Sequence, residues 1–256
     1  MNRVNAIRLS CYFLLVFMTL AFGFVLPLLI ASLLGVCVIM FLTRYILGED
    51  PIQFLQIPKS RRHAREFFIS FAFGSLLCAV TCVFLRISNP DYSWRVSDLL
   101  WLVCLVVPVQ SFYEEVVFRS VLQRHLLSHW FHGAVPKALL LALIFSASHF
   151  LNYRFTAGHN LHFFSLVALF FLGFSGGLIF SFQQNLSGTW GFHAGWNTLR
   201  FGVVHFMSDK PLSEAETFDQ IEGSLPGVSV AVFVLGAVLV WMRSARVQIP
   251  AANADL

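Results

Sequence analysis

The stretch SDLLWLVCLVVPVQSFYEEVVFRSVLQRHLL, residues 97–127, carries both the fold and a problem. It is apolar enough, and long enough, to cross a hydrocarbon core of about 30 Å as a helix. Inside it Glu114, Glu115 and Arg119 fall within six residues. Ionisable groups at membrane depth are expensive, so three together need partners and a purpose. A helix supplies part of the answer. Glu115 and Arg119 lie one turn apart on one face and can neutralise each other. Glu114 points about 100° away and is left outside that pair.

The rest of the chain has the same apolar character. Of 256 residues 57% are hydrophobic and 12% charged, with a mean hydropathy of +0.74. A soluble domain carries about 25% charged residues, so this chain cannot cover a water-facing surface. Apolar runs near 20 residues recur from end to end, whereas the alternating segments of about 10 residues that build a β-barrel are absent. These features predict an all-α polytopic membrane protein, a single domain over 1–256. About eight transmembrane helices form a conical or bundled core around an intramembrane polar site. The predicted spans are 9–24, 27–47, 66–86, 97–127, 137–153, 161–182, 188–207 and 228–243. Gly23 and Pro27 divide the first run, which is too long for one crossing; without that division there are seven spans. The run continues past Pro27 with no small-residue cleavage site, so it is read as a retained span rather than a signal peptide.

With eight spans both termini share one side. Eleven Lys and Arg residues fall there, against five (Arg86, Arg95, Arg154, Arg200, Lys210) opposite. The bias places both termini in the cytoplasm, and the expected location is a bacterial inner membrane. The net charge of +4 is scattered over loops, which suits lipid headgroups and argues against nucleic acid as a partner. Five cysteines all sit in apolar runs, and Cys78 and Cys82 are read as small packing residues rather than a disulfide or metal site.

Polar residues within the spans concentrate in three helices. The fifth carries FSASHF, 145–150, with Phe145 stacked one turn before His149 and Ser146 and Ser148 as small polar neighbours. The seventh carries GFHAGWN, 191–197, with His193 and Asn197 one turn apart and Gly191 and Gly195 permitting close approach. Depth gives a separate check. Glu114 lies 13 residues before Leu127 and His149 lies 13 residues after Pro136, about 20 Å from the same end of each helix. His193 reaches that depth only if its helix begins below the surface, after a re-entrant 183–190 segment.

Read in order, these motifs are Glu-Glu-x-x-x-Arg, Phe-x-x-x-His and His-x-x-x-Asn on successive apolar segments. They resemble the CPBP family of intramembrane proteases, which includes CaaX-processing proteases of the Ras-converting type and bacterial Abi proteins. The similarity covers about 97–207, the expected catalytic core, and departs from the usual pattern at Ser120, where many members have Gly. The residues alone allow Glu114 and His149 to hold and deprotonate a water, with His193 and Asn197 donating to an oxyanion. The resemblance implies the same division, Glu115 and Arg119 supporting the helix, and a membrane-anchored protein or hydrophobic peptide as substrate.

Other readings stand beside this one. Glu114, His149 and His193 could instead hold a catalytic zinc, although a metal-free, glutamic-type site is favoured because no His-Glu-x-x-His is present. His125, His129 and His132 are read as interfacial rather than metal-binding. Gly173, Gly176 and Gly177 suit close helix packing. A non-catalytic scaffold or immunity-type partner-binding protein of the same fold is the alternative function; a transporter is disfavoured by the lack of internal repeats.

Overall fold

A computed structural model describes residues 8, 10–16 and 28–247. The chain is an all-α membrane protein, as expected from its composition. Helix α1 runs Leu28–Leu42 and continues through a wider turn, Thr43–Leu47. A one-turn helix α2, Pro51–Phe54, is capped by Asp50, whose carboxylate accepts from the Ile52 and Gln53 amides. Then come α3 (Arg61–Ser88), strand β1 (Tyr92–Val96) and α4 (Leu100–Glu115), the last continuing in π-type turns over Val116–Leu126. Helices α5 (Ala134–Thr156), α6 (Phe163–Gln183) and α7 (Ser187–Gly202) follow. Strands β2 (Val203–Met207) and β3 (Lys210–Pro211), helix α8 (Glu214–Glu222) and helix α9 (Leu225–Val247) complete it.

Among the described residues six helices are long and apolar enough to cross a membrane: 29–47, 61–88, 100–129, 134–156, 163–183 and 225–244. The proposed turn at Gly23 and Pro27 lies outside the described residues. Among the described residues the Tyr12 hydroxyl meets Thr43 Oγ1 at 3.0 Å, which places 10–16 against the wider turn after α1.

The expected span 188–207 is corrected. Helix α7 has 16 residues, stops at Gly202 and passes directly into a strand. At about 24 Å it falls short of the hydrocarbon core. The reason is its setting. Most of α7 is buried inside protein, so Asn197 and Arg200 are buried away from lipid and Arg200 pairs with Glu222. The connection between the expected spans 66–86 and 97–127 contains β1, which pairs antiparallel with β2 in the register Trp94↔His205. His205 pins this corner. Its Nε2–H donates to the Arg200 carbonyl at 3.1 Å and Nδ1 accepts from the Tyr92 hydroxyl at 2.5 Å. Burial holds that imidazole below its usual range, hence neutral.

Helices α3 and α7 pack backbone to backbone. A Cβ on Gly191 or Gly195 would strike the carbonyl of Phe67 or Phe71, and one on Gly74 would strike that of Phe192. Gly195→Val is therefore expected to cost about 1–3 kcal/mol from overpacking and to lower the thermal midpoint in detergent. A midpoint equal to wild type would show that this contact is not tight. On α6, Gly173 and Gly177 lie against Ala142, Phe145 and Ala138 of α5, the close packing expected of that pattern. Ser120 tightens the structure rather than loosening it: its hydroxyl donates to the Leu55 carbonyl after α2. His125 stacks on Phe54 and donates to its carbonyl, while His129 donates to the His125 carbonyl, so both serve the turn after α4.

Candidate active site

Helix α4 presents the two carboxylates in different directions, as its pitch requires. Arg119 Nε donates to Glu115 Oε2 at 3.0 Å, and both side chains are buried. The wider turns begin immediately after Glu115. There Arg119, Ser120 and Gln123 are each drawn to a different partner, Gln123 donating to the Gly177 carbonyl at 2.7 Å and to Ser181 Oγ at 2.8 Å. Such turns are rare and concentrate at functional sites.

Glu115 does more than pair with Arg119. Its Oε1 accepts from His193 Nδ1 at 2.9 Å, joining α4 to α7. His193 Nε2 then lies 3.7 Å from Glu114 Oε2, an ion-pair distance too long for a direct hydrogen bond. Glu114 Oε1 accepts from Gln110 Nε2 at 3.0 Å. Glu114 Oε2 is buried and has no hydrogen-bond partner among the described residues.

His149 donates from Nδ1 to the Phe145 carbonyl at 3.0 Å, and the two rings lie 4.4 Å apart. That leaves Nε2 as its free nitrogen. Ser146 and Ser148 do not attend the imidazole; their hydroxyls go to the carbonyls of Leu166 and Phe145. His193 sits at the depth of Glu114 because α7 begins at Ser187, after a short bend from Gln183. Trp190 of the same helix donates to the Pro108 carbonyl at 2.8 Å, which fixes α7 against α4.

One cavity of about 110 Å³ is lined by Glu114, His149, His193 and Asn197 together. Glu115 and Arg119 line it too, from behind His193. The volume suffices for at least one water. Among the described residues no three His, Cys, Asp or Glu side chains are grouped to hold a metal ion. His193 spends Nδ1 on Glu115 and His149 spends Nδ1 on backbone, which leaves Nε2 of each ring for the cavity.

The cavity also contains residues that sequence reasoning placed elsewhere. Arg200, counted as a loop charge, is buried and donates from Nη1 to Glu222 Oε1 at 3.0 Å. Trp196 Nε1 donates to the same oxygen at 3.0 Å. The acidic segment between the expected spans 188–207 and 228–243 contains α8, whose Glu214, Phe218 and Glu222 all border the cavity. Their spacing of four residues was the available signal.

An all-α polytopic membrane protein with carboxylate, imidazole and amide groups gathered in one internal cavity defines the class. Residues 96–199 match the family model described as type II CAAX prenyl endopeptidase Rce1-like. That segment is similar to an Rce1-like domain, which is consistent with the expected resemblance to CPBP intramembrane proteases. The match supports a protease. No curated protein and no solved structure matches the chain.

Proposed function

We propose that the chain is an intramembrane endopeptidase that hydrolyses a peptide bond in a membrane-associated or hydrophobic protein or peptide. The observation that carries this is Glu114 Oε2, a buried carboxylate oxygen with no hydrogen bond among the described residues, in a cavity shared with His149, His193 and Asn197. A water placed between that oxygen and the free nitrogen of His149 loses a proton to this pair as its oxygen attacks the peptide carbonyl. The carbonyl oxygen becomes an oxyanion, which His193 Nε2–H and the Asn197 amide stabilise as donors. The C–N bond then breaks, and the proton taken from water passes to the departing amine, leaving a carboxylate and an amine.

Glu115 and Arg119 act through His193 in this scheme. Glu115 holds Nδ1 and so aims Nε2 at the cavity, while Arg119 balances the buried carboxylate. The catalytic core is 97–207, and the protein resides in a bacterial inner membrane. A CAAX-type prenylated protein is the substrate class suggested by the family description; an unprenylated anchored peptide is the other. The non-catalytic scaffold reading leaves the convergence of four polar side chains on one cavity without a purpose.

No step is assigned to a metal. Purified protein in lipid nanodiscs is expected to cleave quenched peptides equally well before and after treatment with 1,10-phenanthroline. A loss that added zinc restores would replace the glutamic-type scheme with a metal-dependent one. Absence of cleavage by folded wild-type protein, for prenylated and unprenylated substrates alike, would favour the scaffold.

A further inference from the structure

Helix α8 is built to stand still at the edge of the cavity. Its start is a capping box: Ser213 Oγ accepts from the Glu216 amide at 3.3 Å and Glu216 Oε2 accepts from the Ser213 amide at 2.8 Å. On its outer flank Asp219 is gripped from the α5–α6 connection and the first turn of α6. It accepts from Ser165 Oγ at 2.6 Å and the His162 amide at 3.0 Å, and its Oδ2 lies 2.5 Å from His159 Nε2. At its end Glu222 is tied to Trp196 and Arg200 of α7. The helix thus offers a fixed surface to the cavity, the stripe Glu214, Phe218 and Glu222.

Phe218 is the centre of that stripe and is only 2% exposed. Its ring lies 6.2 Å from the His149 ring at an interplanar angle of 24°, and 5.0 Å from Tyr153. The Arg200 guanidinium sits 4.8 Å from its centroid. Packed by these neighbours, the ring cannot swing aside without breaking them. Any side chain entering beside His149 meets it. Glu214, at the exposed end of the stripe, holds the Tyr153 hydroxyl at 3.1 Å on Oε1 and offers its charge to the rim.

We infer that α8 is the specificity wall of the site: Phe218 limits the size of the substrate side chain next to the scissile bond, and Glu214 favours a basic over an acidic residue toward the rim. The inference rests on the endopeptidase reading. The substrate it defines is a peptide with a small residue, such as Gly, Ala or Ser, at the position that faces Phe218. A basic residue is preferred at the neighbouring position that faces Glu214.

The test is a positional-scanning library of quenched peptides, cleaved by the full chain in nanodiscs as wild type, Phe218→Ala, Phe218→Leu and Glu214→Gln. Phe218→Ala is expected to shift the preference at one position from small to Leu- or Phe-sized residues by about 10-fold or more, with Phe218→Leu between. Glu214→Gln is expected to remove about a 2- to 5-fold preference for Lys over Glu at a different position. Should Phe218→Ala misfold, Phe218→Leu and Glu214→Gln carry the result. Unchanged rankings in the folded variants, with wild type active, overturn the wall and leave the endopeptidase standing. No cleavage by folded wild type overturns both.

Discussion

Glu114→Gln is expected to lower the peptidase rate by about 10²–10⁴-fold, the range for loss of a positioned general base. The substitution is close to isosteric, and the amide oxygen of Gln can still accept from Gln110 Nε2, so the local hydrogen bond at 3.0 Å survives. What disappears is the basic Oε2, which has no hydrogen bond among the described residues. Helix content and thermal midpoint should stay near wild type. Glu115→Gln provides the contrast. It leaves Glu114 in place but weakens the hold on His193, so the rate falls while the midpoint falls as well. A fully active, normally folded Glu114→Gln protein would remove the proposed base and the mechanism with it.

Arg119→Ala is expected to have the largest effect on folding. It strips the counter-charge from Glu115, whose side chain is 3% exposed, and leaves a buried carboxylate beside His193. Breaking a buried pair from one side costs about 3–5 kcal/mol. The guanidinium also fills the space opposite Gly176 and lies over the Phe145 ring, so packing is lost with the charge. Removing both charges, as Arg119→Gln with Glu115→Gln, should recover part of the midpoint because no unpaired charge remains. Thermal unfolding in detergent decides between these outcomes. A single Arg119→Ala variant as stable as wild type would show that Glu115 is not ion-paired in the folded protein.

Much of this site is legible along the chain because helical pitch is a strong constraint. Glu115 and Arg119 must share a face, Phe145 must stack near His149, and Glu114 and His149 must reach one depth if their helices start from one side. What pitch cannot supply is the contact between helices. That Glu115 reaches His193, and that Gln110 holds Glu114, depend on how α4 and α7 meet, and no spacing within either helix encodes it. Arg200 and α8 were misplaced for a different reason. Charge in a polytopic chain is read as a marker of the aqueous face, and a buried pair such as Arg200–Glu222 defeats that rule because its partner is 22 residues away. The strand at 203–207 was hidden too, since Val203 and Val204 prolong an apolar run as readily as they start a sheet edge.

The shortness of α7 bears on how the protein is made. A 16-residue segment containing Asn197 and Arg200 is poorly suited to partition into lipid by itself. It gains its place from the glycine seam against α3 and from the Glu115–His193 bond to α4. Its placement is therefore expected to follow that of α3 and α4. Until α3, α4 and α7 have closed on one another the nascent chain does not hold His193 and Asn197 beside Glu114, so under the proposed mechanism a half-assembled molecule cleaves nothing.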